Sequence, residues 1–126
     1  MIRIIKKKQN PSIILFHGTS KYYGNLLLQN GWQPNKIKPG ANQGQSKYLY
    51  LTSEPLDALW FAEQINENTI LKVSIPNISY LSIDPEDSIG NSIEEELEIS
   101  KKLGTPAKFV LIRELSKNHF SKFELV

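Results

Sequence analysis

Ile13-Ile14-Leu15-Phe16-His17-Gly18-Thr19 is a β-branched, apolar run that follows Pro11 and breaks off on a polar tripeptide containing glycine. Short isoleucine-rich runs bounded by proline and glycine read as buried strands. A strand over residues 12–17 is therefore expected, with the imidazole of His17 delivered to its end. Lys47-Tyr48-Leu49-Tyr50-Leu51-Thr52-Ser53 has the same design. Side chains alternate between the two faces of a strand, so Tyr48 and Tyr50 share one face and Leu49 and Leu51 the other.

Around these two strands the chain reads as alternating short elements. Residues 20–30 suit a helix, with Ser20 as cap, Tyr23, Leu26 and Leu27 on one face, and Asn30-Gly31 as the stop. Residues 33–46 carry two prolines and two glycines and read as a loop of about fourteen residues, longer than the usual ~4–6. After the strand at 47–52, Ser53 is expected to cap a helix running to about Gln64, with Pro55 in its first turn. Ala58, Leu59, Ala62 and Ile65 recur at helical spacing, and Trp60 and Phe61 are expected to widen that core stripe. Strands are expected at 69–75, 80–83, 109–113 and 120–125. Ser92-Ile93-Glu94-Glu95 has the form of a capping box, opening a helix that Leu103-Gly104 closes. The order β-α-β-α-β-β-α-β-β is α+β, in one domain over residues 1–126.

The 126 residues contain no cysteine and two histidines, which leaves neither a disulfide framework nor a thiolate or histidine-rich metal site. No apolar run approaches the ~20 residues of a membrane span, and the N-terminal charges follow the apolar patch, the reverse of a secretory signal. A cytoplasmic, metal-independent protein with no membrane partner is expected. Charge is unevenly spread: residues 1–53 hold eight Lys/Arg and no acid, and all thirteen acids lie from Glu54 onward. The basic half would attract an anion such as a dinucleotide, or be neutralised by folding against the acidic half. Seven acids between Asp84 and Glu98, with no basic residue among them, read as a solvated segment.

His17 offers one donor and one acceptor nitrogen, Gly18 allows close approach of a ligand to the backbone, and Thr19 adds a hydroxyl. Tyr50 offers a ring for stacking and a phenol for hydrogen bonding. With Leu15-Phe16-His17-Gly18-Thr19, then Tyr48-Leu49-Tyr50-Leu51-Thr52, then Ala58-Leu59-Trp60-Phe61-Ala62, the chain resembles the ADP-ribosyltransferase superfamily. The similarity is to its His–Tyr branch, which includes diphtheria toxin, the poly(ADP-ribose) polymerases and the small rifampicin ADP-ribosyltransferases. The resemblance covers residues 13–85 best.

That resemblance implies a split-sheet α+β core with flanking short helices and NAD, as substrate, in a cleft between the sheet halves. It implies that His17 bonds the ribose, Gly18 holds the carboxamide and Tyr50 stacks on nicotinamide, with Thr19 and Tyr48 beside them. In the polymerases a catalytic Glu opens a late strand; here Ala107-Lys108 precede Phe109-Val110-Leu111-Ile112. The small rifampicin-modifying enzymes imply instead an Asp after an earlier strand, which is Asp84 in Tyr80-Leu81-Ser82-Ile83-Asp84-Pro85, with Glu114 as a fallback. Asp84-Pro85 equally suits a turn. The implied activity is mono-ADP-ribosyl transfer to a protein, nucleic acid or small-molecule acceptor. Alternatives are NAD hydrolysis as a toxin, a non-catalytic module binding ADP-ribose or a protein, and RNA 2′-phosphotransfer. The last would call for several arginines, and the chain has only Arg3 and Arg113.

Overall fold

In a computed structural model, which describes residues 12–34 and 48–125, the chain forms one antiparallel sheet with three helices. The elements are β1 (Ile13–Ser20), α1 (Lys21–Asn30), β2 (Leu49–Thr52), α2 (Pro55–Ala62), β3 (Asn68–Ile75), β4 (Leu81–Ile83), α3 (Ile93–Leu103), β5 (Lys108–Leu111) and β6 (Phe120–Phe123). The strand order across the sheet is β4-β5-β2-β1-β3-β6. Most of the 33–46 loop lies outside the described residues, as do all the basic residues of the expected basic half except Lys21.

The pairing of β1 is lopsided. Against β3 it is paired along its whole length, from Ile13 opposite Ile75 to Ser20 opposite Asn68. Against β2 it is paired only at Phe16 opposite Thr52. The sheet is thus two well-laddered halves, β4-β5-β2 and β1-β3-β6, joined at one point. The long β3 ladder also extends β1 past the expected end, so His17, Gly18 and Thr19 lie inside the strand.

Alternation assigns the two faces. Leu15, Leu49, Leu51, Leu71, Val73, Phe109 and Leu111 form the main core, with Leu27, Leu28 and Trp32 from α1 and its end, and Ile93 and Leu97 from α3. On the opposite face a smaller cluster, Phe16, Ala58 and Ile70, lies beneath α2. Alanines 58 and 62 are the buried residues of α2, and they let the helix come close to the strand. A Cβ on Gly18 would lie 2.1 Å from the Ala58 carbonyl oxygen. Trp60 and Phe61, expected in the core, are 60% and 43% exposed instead. An eight-residue helix seated on two alanines has no room for bulk between itself and the sheet.

Caps follow the expected chemistry at α1 and α3. Ser20 Oγ accepts from Tyr23 N at 3.1 Å, and Ser92 Oγ accepts from Glu95 N at 3.1 Å. Gly31 (φ 73°) and Gly104 (φ 68°) end these helices with positive φ, which glycine adopts at little steric cost. At α2 the expectation fails: the cap is Glu54, without a side-chain bond. Ser53 is engaged with Ala107 instead, its N–H donating to Ala107 O at 3.0 Å and its Oγ accepting from Ala107 N at 2.8 Å. The helix end is closed by Asn68, whose Nδ2 donates to Ala62 O and Ile65 O at 2.9 and 3.0 Å.

The acidic stretch is not uniformly solvated. Asp84 and Glu96 are 4% and 3% exposed. Buried carboxylates persist where hydrogen bonds replace their hydration. Glu96 Oε1 accepts from Ile89 N and Gly90 N at 2.8 and 2.7 Å, and its Oε2 accepts from Lys108 N at 2.9 Å. One side chain of α3 thereby fixes both the 84–92 loop and the start of β5.

Candidate functional site

The place where β1 and β2 part is bridged by a side chain. His17 Nδ1 lies 2.7 Å from the carbonyl oxygen of Tyr50. A carbonyl only accepts, so Nδ1 carries the hydrogen. Desolvation lowers the His17 pKa below its usual 6.5, with the bond to Tyr50 O opposing that shift. At neutral pH the ring is therefore uncharged with Nδ1–H, leaving Nε2 as a bare acceptor for a ligand hydroxyl.

A cleft of about 330 Å3 opens beside this bridge, at the lower end of the range for small-molecule sites. Its walls include Phe16, His17 and Gly18 from β1, Tyr50 and Thr52 from β2, and Phe61 from α2. Asp84, Glu86, Asp87 and Lys108 complete it from β5 and the loop after β4. His17, Gly18, Tyr50 and Asp84, singled out from the sequence, thus come together around one space.

Thr19, Tyr48 and Glu114 are not in that lining. Thr19 lies on the far stretch of β1, its methyl directed toward Gly24 of α1. Tyr48 precedes β2 and is exposed, and Glu114 is exposed beyond β5. Gly18 faces the cleft, but the approach of α2 already accounts for a glycine there.

Asp84 Oδ1 accepts from Glu86 N at 2.8 Å and Asp87 N at 3.1 Å, and its backbone oxygen accepts from Ser88 Oγ at 2.6 Å. It is both the turn residue the dipeptide suggested and a member of the cleft wall. Tyr50 is 40% exposed. Its phenol pKa is raised above 10.0, first by desolvation and then by Glu86, Asp84, Tyr48 and Asp87. The Tyr50 ring therefore faces an acidic rim and stays protonated far above neutral pH.

Sequence reasoning missed Phe61, Glu86, Asp87 and Lys108. The alternation of β2 and the register with β5 would have placed Lys108 near Thr52, but only once that pairing was known. Lys108 Nζ is 2.8 Å from Asp57 Oδ2 of α2 and 5.0 Å from the Phe61 ring centre. Among the described residues, no group of three or more His, Cys, Asp or Glu is arranged to hold a metal ion, and no helix is long and apolar enough to cross a membrane. No protein-family model matches the chain, and no curated protein sequence matches it.

Proposed function

We propose that this chain is an NAD-dependent mono-ADP-ribosyltransferase acting in the cytoplasm, with its substrate in the cleft between the two sheet halves. The observation that carries this reading is the His17–Tyr50 bridge at the parting of β1 and β2. Beside it, His17, Tyr50 and Asp84 line one space. His17 Nε2 accepts a ribose hydroxyl, Tyr50 stacks on the nicotinamide ring, and the acidic rim suits its positive charge. In the reaction the nicotinamide–ribose C–N bond breaks and its electron pair leaves with neutral nicotinamide. Positive charge builds on the ribose as in glycoside cleavage, and a fixed carboxylate lowers that barrier. The acceptor then bonds to the anomeric carbon and gives up its proton.

Asp84 also favours a second reading, a binding module, because its two backbone bonds are sufficient reason for an aspartate in that turn. Asp84→Asn separates the two, since an amide oxygen still accepts both N–H groups while the charge is gone. Purified protein is incubated with NAD and candidate acceptors, and free nicotinamide is followed by chromatography. The transferase reading expects release by wild type, loss in His17→Ala and Tyr50→Ala, partial retention in Tyr50→Phe, and loss in Asp84→Asn with NAD binding kept. Release by wild type that is equal in Asp84→Asn removes that residue from the chemistry. NAD binding without release, whichever acceptor is added, favours the module. Water as sole acceptor makes the protein an NAD hydrolase.

A further inference from the structure

Among the described residues, Lys108 is the one cation that lines the cleft; the other charged lining groups are Asp84, Glu86 and Asp87. A dinucleotide carries a diphosphate, and three carboxylates repel it unless a cation is at hand. The backbone of Lys108 is held on both sides, its N–H donating to Glu96 Oε2 at 2.9 Å and its carbonyl accepting from Asp84 N at 3.2 Å. Its side chain is held differently. The ammonium rests on Asp57 and over Phe61, and Asp57 itself is outside the cleft lining. Both side chains keep some solvent contact, 15% and 18%. The pairing atom, Asp57 Oδ2, is itself buried and hydrogen-bonds to no other group among the described residues, so exchange requires Asp57 to turn that oxygen toward water as the ammonium leaves. A lysine stem swings its ammonium through several ångströms about a fixed Cα.

Register gives the reach. Lys108 is opposite Thr52 on β2, and Tyr50 is two residues along the same strand. Diagonal neighbours of this kind lie ~7–8 Å apart, within the span of an extended lysine side chain. We propose that Lys108 is the anion anchor of the cleft, exchanging Asp57 for the diphosphate of the bound dinucleotide. Asp57 holds the ammonium in place while the cleft is empty. This rests on the NAD reading and adds to it the group that recognises the phosphates.

The test is titration of the full chain with ADP-ribose, which carries the diphosphate, and with nicotinamide riboside, which has no phosphate. Calorimetry serves for the tighter ligand and NMR shifts for the weaker. Lys108→Gln is expected to weaken ADP-ribose by about ten-fold or more, as for loss of a charge-assisted bond. It should also flatten the salt dependence and leave nicotinamide riboside within about two-fold. Lys108→Arg should restore most of the ADP-ribose affinity. Asp57→Asn should keep or tighten it, because the competing carboxylate charge is gone. Unchanged ADP-ribose binding in Lys108→Gln overturns the anchor, as does equal loss of both ligands. So does a loss in Asp57→Asn matching that in Lys108→Gln, which would mark the pair as a brace between α2 and β5. Those outcomes leave the NAD reading standing; wild type that binds neither ADP-ribose nor NAD overturns both.

Discussion

Glu96→Gln is the sharpest probe of how the site is built. The substitution is close to isosteric, and it exchanges one acceptor oxygen for an NH2 group. Three backbone N–H groups, those of Ile89, Gly90 and Lys108, converge on the carboxylate at 2.7–2.9 Å. If the amide oxygen takes the Oε1 place, it keeps Ile89 and Gly90, but the NH2 then faces the Lys108 N–H. In the other orientation two donors are stranded. Charge-assisted hydrogen bonds contribute roughly 1.5–3 kcal/mol each, and a buried donor left unmet costs about 1–3 kcal/mol. At least one bond is lost and the others weaken with the charge, so the expected destabilisation is about 2–4 kcal/mol. That is a large part of the ~5–15 kcal/mol that holds an ordinary domain together.

Urea unfolding followed by far-ultraviolet circular dichroism measures the loss, and amide hydrogen exchange locates it. The amides of Ile89, Gly90 and Lys108 should lose protection ahead of β1 and β3, whose long ladder is untouched. Glu95→Gln is the control: Glu95 is exposed and accepts a single bond, from Asn91 N at 2.9 Å, so its cost should stay under ~1 kcal/mol. A Glu96→Gln protein within about 0.5 kcal/mol of wild type, with those three amides still protected, would refute the reasoning.

Gly18→Ala should cost about 1–3 kcal/mol by overpacking, because its Cβ would meet the Ala58 carbonyl at 2.1 Å and α2 must back away. Thermal melts give the size, and a wild-type melting temperature would show that the contact has slack. For His17, the folded pKa lies below the unfolded 6.5, so the folded chain binds fewer protons in the interval between them. Stability should therefore be level above pH 6.5 and fall as pH drops below it; NMR titration of the ring against urea midpoints checks both. NAD cleavage should likewise be flat from pH 8 to 6.5 and fail only in more acid solution, and a loss beginning above pH 7 would contradict the neutral-imidazole role.

Local signals in the sequence were sound where the structure depends on neighbours in the chain. Ser20 and Ser92 cap as their spacing suggests, the alternation in β2 puts Leu49 and Leu51 into the core, and the element order is the one observed. The failures all involve partners distant in sequence. Gly18 has weak strand propensity, yet β1 continues through it and Thr19 because β3 supplies a ladder as far as Asn68. Ser53 has the right type for a cap, but Ala107 takes both its N–H and its hydroxyl. Trp60 and Phe61 fit a core stripe, and the two alanines beside them decide otherwise by bringing α2 down onto Gly18. The same holds in the cleft. His17, Gly18, Tyr50 and Asp84 belong to recognisable local patterns, while Phe61, Glu86, Asp87 and Lys108 enter only through the sheet pairing and the loop that Glu96 holds.

The register also shows why a carboxylate missing from the start of β5 is not missing from the cleft. Ile83 pairs with Phe109, so the next step along the two strands sets Asp84 beside Lys108, and Asp84 N donates to Lys108 O to continue the ladder. Lys108 is in turn opposite Thr52, and Thr52 opposite Phe16. Asp84, Lys108, Thr52 and Phe16 therefore form one row across three strands and the residue that follows β4, with all four on the cleft wall. Opposed Cβ atoms in such rows are ~4.5–5.5 Å apart. Moving an acid from β5 to the residue after β4 shifts its charge by about one strand spacing, ~4.7–4.9 Å, and the turn amides of Glu86 and Asp87 then fix it in place. On the transferase reading this arrangement supplies the fixed negative charge from β4 and leaves the β5 position for a group of opposite sign. One row then addresses both ends of the substrate's charge, the cationic nicotinamide riboside and the anionic diphosphate.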